Sequence, residues 1–203
     1  MRSLKVYRDS INQRFIDMAA DALRQGHAVI YPTDSVYGIG VSATDGRAIE
    51  KLCRLKKINP EKNTLSIVCD GMSMASNYAR IDNRAYRLMK NYLPGPFTFI
   101  LPAANTLPKV FKERKTVGIR IPDNPVAVAL VEALEAPLMT TSVFEYDDET
   151  DITEPESLAL AFANDVAVVL DEGHGGSEPS TVVDLTDPTD PVVVRQGAGI
   201  FED

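Results

Sequence analysis

Apolar residues recur along this chain in two rhythms that alternate through most of its length. From Asn12 to Gln25 the residues Phe15, Met18, Ala19, Ala22 and Leu23 fall three and four apart, as on one face of a helix, and Gly26 follows as a cap. "HAVIY" is then a short β-branched and aromatic run that stops at Pro32, which has no N–H to give a ladder. The spacing predicts a second helix over residues 45–56, capped by Thr44 or Asp45, with Ile49, Leu52 and Cys53 on one face. "TLSIVC" (64–69) reads as a buried strand, Asp82 caps a helix running to residue 92, and "PGPFTFIL" turns into a strand ending at Leu101. "TVGIRIP" (116–122) is a strand, and Asp123, with Pro125 in the first turn, opens a helix through Leu134. "LMTTSV" is a strand, Thr153 and Glu156 have the capping-box form for a helix through Asn164, and "VAVVL", "STVVDL" and "PVVVR" are three more strands.

Helices alternating with strands, then strands crowding together, predict an α/β fold: one mixed sheet, partly parallel, finished by antiparallel strands, over residues 1–203 as a single domain. The acidic stretch "FEYDDETDITE" (144–154) is expected as an exposed insertion. With 44% hydrophobic and 25% charged residues the composition is that of a soluble globular protein. The first ten residues lack the apolar run of a signal peptide and nothing approaches a membrane span, so a cytoplasmic location is expected. Cys53 and Cys69 sit in apolar segments without a histidine beside them, which predicts reduced core thiols and no zinc site.

Net charge is −8, which weighs against a polyanionic partner. The charge is unevenly spread: residues 1–143 hold 20 Lys and Arg against 13 Asp and Glu, and residues 144–203 hold 1 against 16. A basic face therefore remains available to an anion.

The segment "YPTDSVYGIG" (31–40) runs into Gly38-Ile39-Gly40-Val41-Ser42-Ala43, which matches the G-x-G-x-x-A form of a dinucleotide loop. Its spacing disqualifies that match. Six residues separate Tyr31 from Gly38, "YGIGV" itself has strand character, and the candidate ribose acid Asp70 lies 32 residues beyond Gly38. No P-loop is present either. What remains is a strand end offering the hydroxyl of Thr33 and the carboxylate of Asp34, followed by two glycines that leave room for a ligand or another backbone.

Other segments converge on the same chemistry. Arg120 lies in an otherwise apolar strand, and an inward arginine needs an anionic partner. Thr140, Thr141 and Ser142 end one strand, Ser180 and Thr181 begin another, and Arg195 ends the last. Hydroxyls and arginines at strand ends suit a phosphate or carboxylate site. His27 and His174 have no nucleophile motif beside them and are expected to be structural or superficial.

In order, "YPTDSVYGIG", "PGPFTFIL", "VGIRIPDNP", "TTSV", "PSTVVDLT" and "VVRQGAG" resemble the stations of the YrdC/YciO family, the threonylcarbamoyl-AMP synthase superfamily, over residues 12–199. "RLMKN…PG…TFIL" and "DLTD…PVVVR" are most similar to the YciO branch. The resemblance implies a single twisted mixed sheet with flanking helices and a large concave cleft. It also implies, for active members, the joining of L-threonine, bicarbonate and ATP into threonylcarbamoyl-adenylate with release of pyrophosphate, a nucleotidyl transfer that feeds the t6A modification of tRNA. ATP then enters as a substrate with magnesium, with no permanent cofactor, no resident metal and no membrane partner. By position, Thr33, Thr116 and Arg120 would hold threonine, while Lys56, Ser142, Ser180, Thr181 and Arg195 would line the nucleotide; Lys56 and Arg120 are the catalytic candidates.

The chain departs from the family pattern twice. Lys56-Lys57-Ile58 lacks the arginine of K-x-R, and Ser142-Val143-Phe144 lacks the asparagine of S-x-N. A preorganised donor to developing phosphate charge is worth several kcal/mol, and the point charge of Lys57 does not replace a bidentate fork, so weak or altered catalysis is expected. The resemblance also admits a non-catalytic binder of double-stranded RNA or tRNA, using Arg47, Lys51, Arg54, Lys56, Lys57 and Lys62.

Overall fold

The computed structural model of the chain describes residues 1–59, 65–107, 115–143 and 150–202. Its strands are β1 (Arg2–Lys5), β2 (Ala28–Tyr31), β3 (Gly38–Ser42), β4 (Ser66–Val68), β5 (Phe97–Pro102), β6 (Thr116–Arg120), β7 (Leu138–Ser142), β8 (Val166–Asp171), β9 (Thr181–Asp184) and β10 (Val192–Arg195). The helices are α1 (Gln13–Arg24), α2 (Gly46–Leu55), α3 (Met72–Tyr78), α4 (Asn83–Tyr92), α5 (Pro125–Leu134) and α6 (Pro155–Ala161). All ten strands join one sheet in the order β1-β8-β2-β3-β7-β4-β6-β5-β9-β10. It is mixed, as the alternation of elements predicts. The closing strands, however, do not form an antiparallel group: β8 is inserted in parallel between β1 and β2, β9 lies parallel to β5, and only β10 turns back on β9.

Helix ends follow their local chemistry. Asp45 caps α2 by accepting from the N–H groups of Arg47 and Ala48, and Asp82 caps α4 in the same way. Gly26, at φ +77°, ends α1, with His27 N–H donating to Ala22 O and Gly26 N–H to Leu23 O, a Schellman closure. Two expected caps are displaced by one residue. Asn124, not Asp123, caps α5: Pro125 takes the first helical position, and the Asn124 side-chain oxygen accepts from Val126 and Ala127 N–H, while the Asp123 N–H goes to Asp34. Glu154, not Thr153, precedes α6, since Thr153 gives its hydroxyl and N–H to Asp151. The strand β1 and the helix α3 were not legible as elements, being four and seven residues long with no clear period. Of the acidic insertion, 144–149 lies outside the described residues.

The sheet is covered on both faces. α1 and α5 pack with Val29, Tyr31, Leu138, Val168 and Leu170 on one side. Ile49, Leu52, Met89, Phe99, Ile119 and Phe162 belong to the cluster on the other. Both cysteines are buried in the core.

Gly38 and Gly40 do not hold a place for a ligand. They admit the ring of Tyr31, whose phenol reaches across β3 to donate to Thr140 Oγ1 at 2.6 Å. A Cβ on Gly38 would lie 2.9 Å from the Tyr31 ring, and one on Gly118 would collide with Ser66 Oγ. Because Tyr31 is buried and bonded it cannot yield. Gly38→Ala and Gly118→Ala are therefore expected to lower stability by about 1–3 kcal/mol. Gly71→Ala, where an added methyl meets nothing within 4 Å, is the control. It should change stability by less than about 0.5 kcal/mol in urea unfolding.

Candidate anion-binding cleft

Register brings small and polar residues together on the face of the sheet that carries Arg120. Thr140 on β7 pairs with Gly40 and Ser66, and Ser66 pairs with Gly118 on β6. Gly118 in turn pairs with Ile100, so Thr98 and Ile100 share the face of Gly118 and Arg120. Small side chains leave a hollow there of about 390 Å³, lined also by Lys56 and Ile58 from the exit of α2 and by Ser142, Ser180 and Arg195. Among the described residues, three that line it are cations and none is a carboxylate.

Each cation is held differently. Arg120, 6% exposed at the end of β6, donates from Nη2 to Asp34 Oδ1 at 3.2 Å and Ser35 Oγ at 3.0 Å. Asp34 is thus the anionic partner that an inward arginine requires. Lys56 follows α2, with Nζ 3.4 Å from Val143 O and 5.9 Å from the centre of the Phe162 ring. Arg195 donates from Nη2 to Ser180 O at 2.7 Å, and Ser180 Oγ lies 2.8 Å from Thr98 Oγ1.

Of the residues singled out in the sequence, Lys56, Arg120, Ser142, Ser180 and Arg195 come together in the cleft. Thr33, Thr116 and Thr181 are not among its lining residues. The Thr33 hydroxyl donates to Val36 O at 2.7 Å and accepts from Ser35 N–H, closing the turn after β2. Thr116 begins β6, four residues and roughly 13 Å before Arg120 on an extended strand. Thr181 faces the other way, accepting from Gly197 N–H at 2.9 Å while its hydroxyl binds Gly199 O. Conversely, Ser66, Thr98 and Thr140 contribute hydroxyls to the floor. Of these, Ser66 and Thr98 are missed in the sequence; a hydroxyl inside an apolar strand is their signal, since a buried one must find a partner, as Thr98 does at Ser180 Oγ.

Comparison with known proteins agrees with this architecture. The family model for Sua5, YciO and YrdC proteins, described as "Telomere recombination", matches residues 21–197. The chain belongs to the Sua5/YciO/YrdC family. Among curated relatives, the YciO protein of Escherichia coli K12 is 39% identical over 96% of this chain and 94% of its own. The threonylcarbamoyl-AMP synthase of Pyrococcus abyssi is 32% identical over 94% of this chain, but only 56% of its own length is covered. The crystal structure of E. coli YciO superposes with a TM-score of 0.90 at 38% identity, covering 98% of this chain and 97% of that one. That of P. abyssi Sua5 complexed with L-threonine superposes at 0.87 with 30% identity, covering 97% and 58%.

Ile58, two residues after Lys56, lines the wall of the cleft. Val143 is fully buried, and Phe144 lies outside the described residues. Among the described residues no cluster of His, Cys, Asp and Glu could hold a metal, and no helix is long and apolar enough to cross a membrane.

Burial raises the Tyr31 phenol to about 12, against the smaller lowering effects of its Thr140 bond and the Arg120 charge, and burial raises Tyr37 further. Both favour the protonated form in the folded state, so the unfolded chain loses these protons first and stability falls as pH climbs past the ordinary phenol range near 10. Ultraviolet titration should show two tyrosines ionising only together with alkaline unfolding.

Proposed function

We propose that this chain binds ATP, and with it L-threonine, in the cleft, and that it is a weak or altered relative of the threonylcarbamoyl-AMP synthases acting in the cytoplasm. The supporting observation is the lining itself: Lys56, Arg120 and Arg195 around a hydroxyl floor, with no carboxylate among the described residues. Such a surface favours phosphate and carboxylate groups and offers nothing to a cation. Magnesium would arrive on the nucleotide's own phosphates, because the described lining supplies no acidic oxygen to hold it. L-threonine is the ligand of the related P. abyssi protein, and Arg120, which lines the cleft, is the group suited to its carboxylate here.

Catalysis is where the chain departs. Adenylate transfer develops charge on phosphate oxygens, and the wall beside Lys56 presents the apolar Ile58. With ATP, labelled bicarbonate and L-threonine, the native chain is expected to form threonylcarbamoyl-adenylate slowly, and Ile58→Arg to raise turnover by about tenfold or more. Turnover in the native chain equal to an authentic synthase would refute the weakened-catalysis part. Arg195→Ala should weaken ATP binding about tenfold by calorimetry.

A second reading, RNA binding without catalysis, has one observation in its favour. Arg47, Lys51 and Arg54 are exposed on one face of α2, and Lys57 just beyond it is exposed too; Lys62 lies outside the described residues. A titration with double-stranded RNA at two salt concentrations separates the readings, because phosphate contacts impose a steep salt slope. Affinity without that slope would refute the basic-face model.

A further inference from the structure

We propose that Thr33, Asp34 and Ser35 form a clamp that positions Arg120, with Asp34 as its principal positioning residue and no contact of its own to the ligand. This rests on the reading that the cleft binds a carboxylate or phosphate. Both hydrogen bonds that the Arg120 guanidinium makes with described residues leave from Nη2, to Asp34 Oδ1 and Ser35 Oγ, while the buried Nε has no partner among those residues. A guanidinium gripped at one corner is fixed in its plane, and because Arg120 lines the cleft its remaining donors there, other than the sealed Nε, face an incoming anion.

The grip is itself supported. Asp34 Oδ2 accepts from Asp123 N–H at 2.8 Å, which ties the carboxylate to the start of α5. Ser35 Oγ lies 3.1 Å from Thr33 Oγ1, and Thr33 is locked by Val36 O and Ser35 N–H. The hydroxyl of Thr33 therefore acts on Ser35, and through it on Arg120. Both charged side chains are less than a tenth exposed. A buried ion pair is a poor source of stability, and an orphaned Nε makes this one poorer. Orientation of Arg120 is what the arrangement provides.

The clamp is tested first without ligand, by heteronuclear NMR of the arginine Nε–H groups in the whole chain. The Arg120 signal is the one removed by Arg120→Lys. In Asp34→Asn, and in the milder Ser35→Ala, its hydrogen exchange is expected to quicken about tenfold or more, as an opened group does. Unchanged exchange in both variants would overturn the clamp. Calorimetry then follows L-threonine and 2,3-dihydroxybutyrate, which lacks its amine. Asp34→Asn should weaken both about tenfold, because what is lost is the hold of Arg120 on the carboxylate. A loss confined to L-threonine would make Asp34 a direct partner of the ammonium group and overturn the positioning role. Failure of the native chain to bind either compound would refute the ligand reading, and the exchange result would still decide the clamp.

Discussion

The buried pair between Arg120 and Asp34 joins three parts of the fold that are distant in sequence. Arg120 closes β6, Asp34 lies in the turn after β2, and the second oxygen of Asp34 accepts from the backbone just before α5. Each end of the pair is costly to bury alone, so the turn cannot settle until β6 and α5 are in place. The cleft is a consequence of the same constraint. One wall is an arginine fixed by its own partner, and the floor is a set of residues too small to fill the space above them.

Why the floor stays open is a matter of register. Gly118 lets Ser66 and Thr98 lean together over β6, and Gly38 and Gly40 let the Tyr31 ring lie flat across β3 to reach Thr140. The glycines thus serve neighbouring side chains. Large residues elsewhere on the same face, such as Val29 and Leu138, pack against α1 and α5. The hollow lies where the large residues stop.

Much of this was legible in the sequence, for physical reasons that differ by element. The amphipathic helices and most strands follow from period and caps, because α1, α2, α4 and α5 each have a buried stripe and a polar or proline start. Arg120 announced itself as a charge in an apolar strand. Sheet order did not, since it depends on pairings such as β8 with β1 and β2 that no local pattern encodes. Nor did side-chain direction: Thr33 and Thr181 have the right chemistry for a polar ligand, but their hydroxyls are consumed by a turn and by the 197–199 segment. Ile58 carries the reverse lesson, because its significance comes from lying in the cleft wall beside Lys56.

On this reading one cleft holds both a nucleotide and an amino acid through Lys56, Arg195 and Arg120. A crystal soaked with ATP and L-threonine tests it most directly. Density is expected for phosphates against Lys56 and Arg195, and for a carboxylate against the part of Arg120 that lines the cleft. An empty cleft, or nucleotide seated on the exposed basic face of α2 instead, would contradict it.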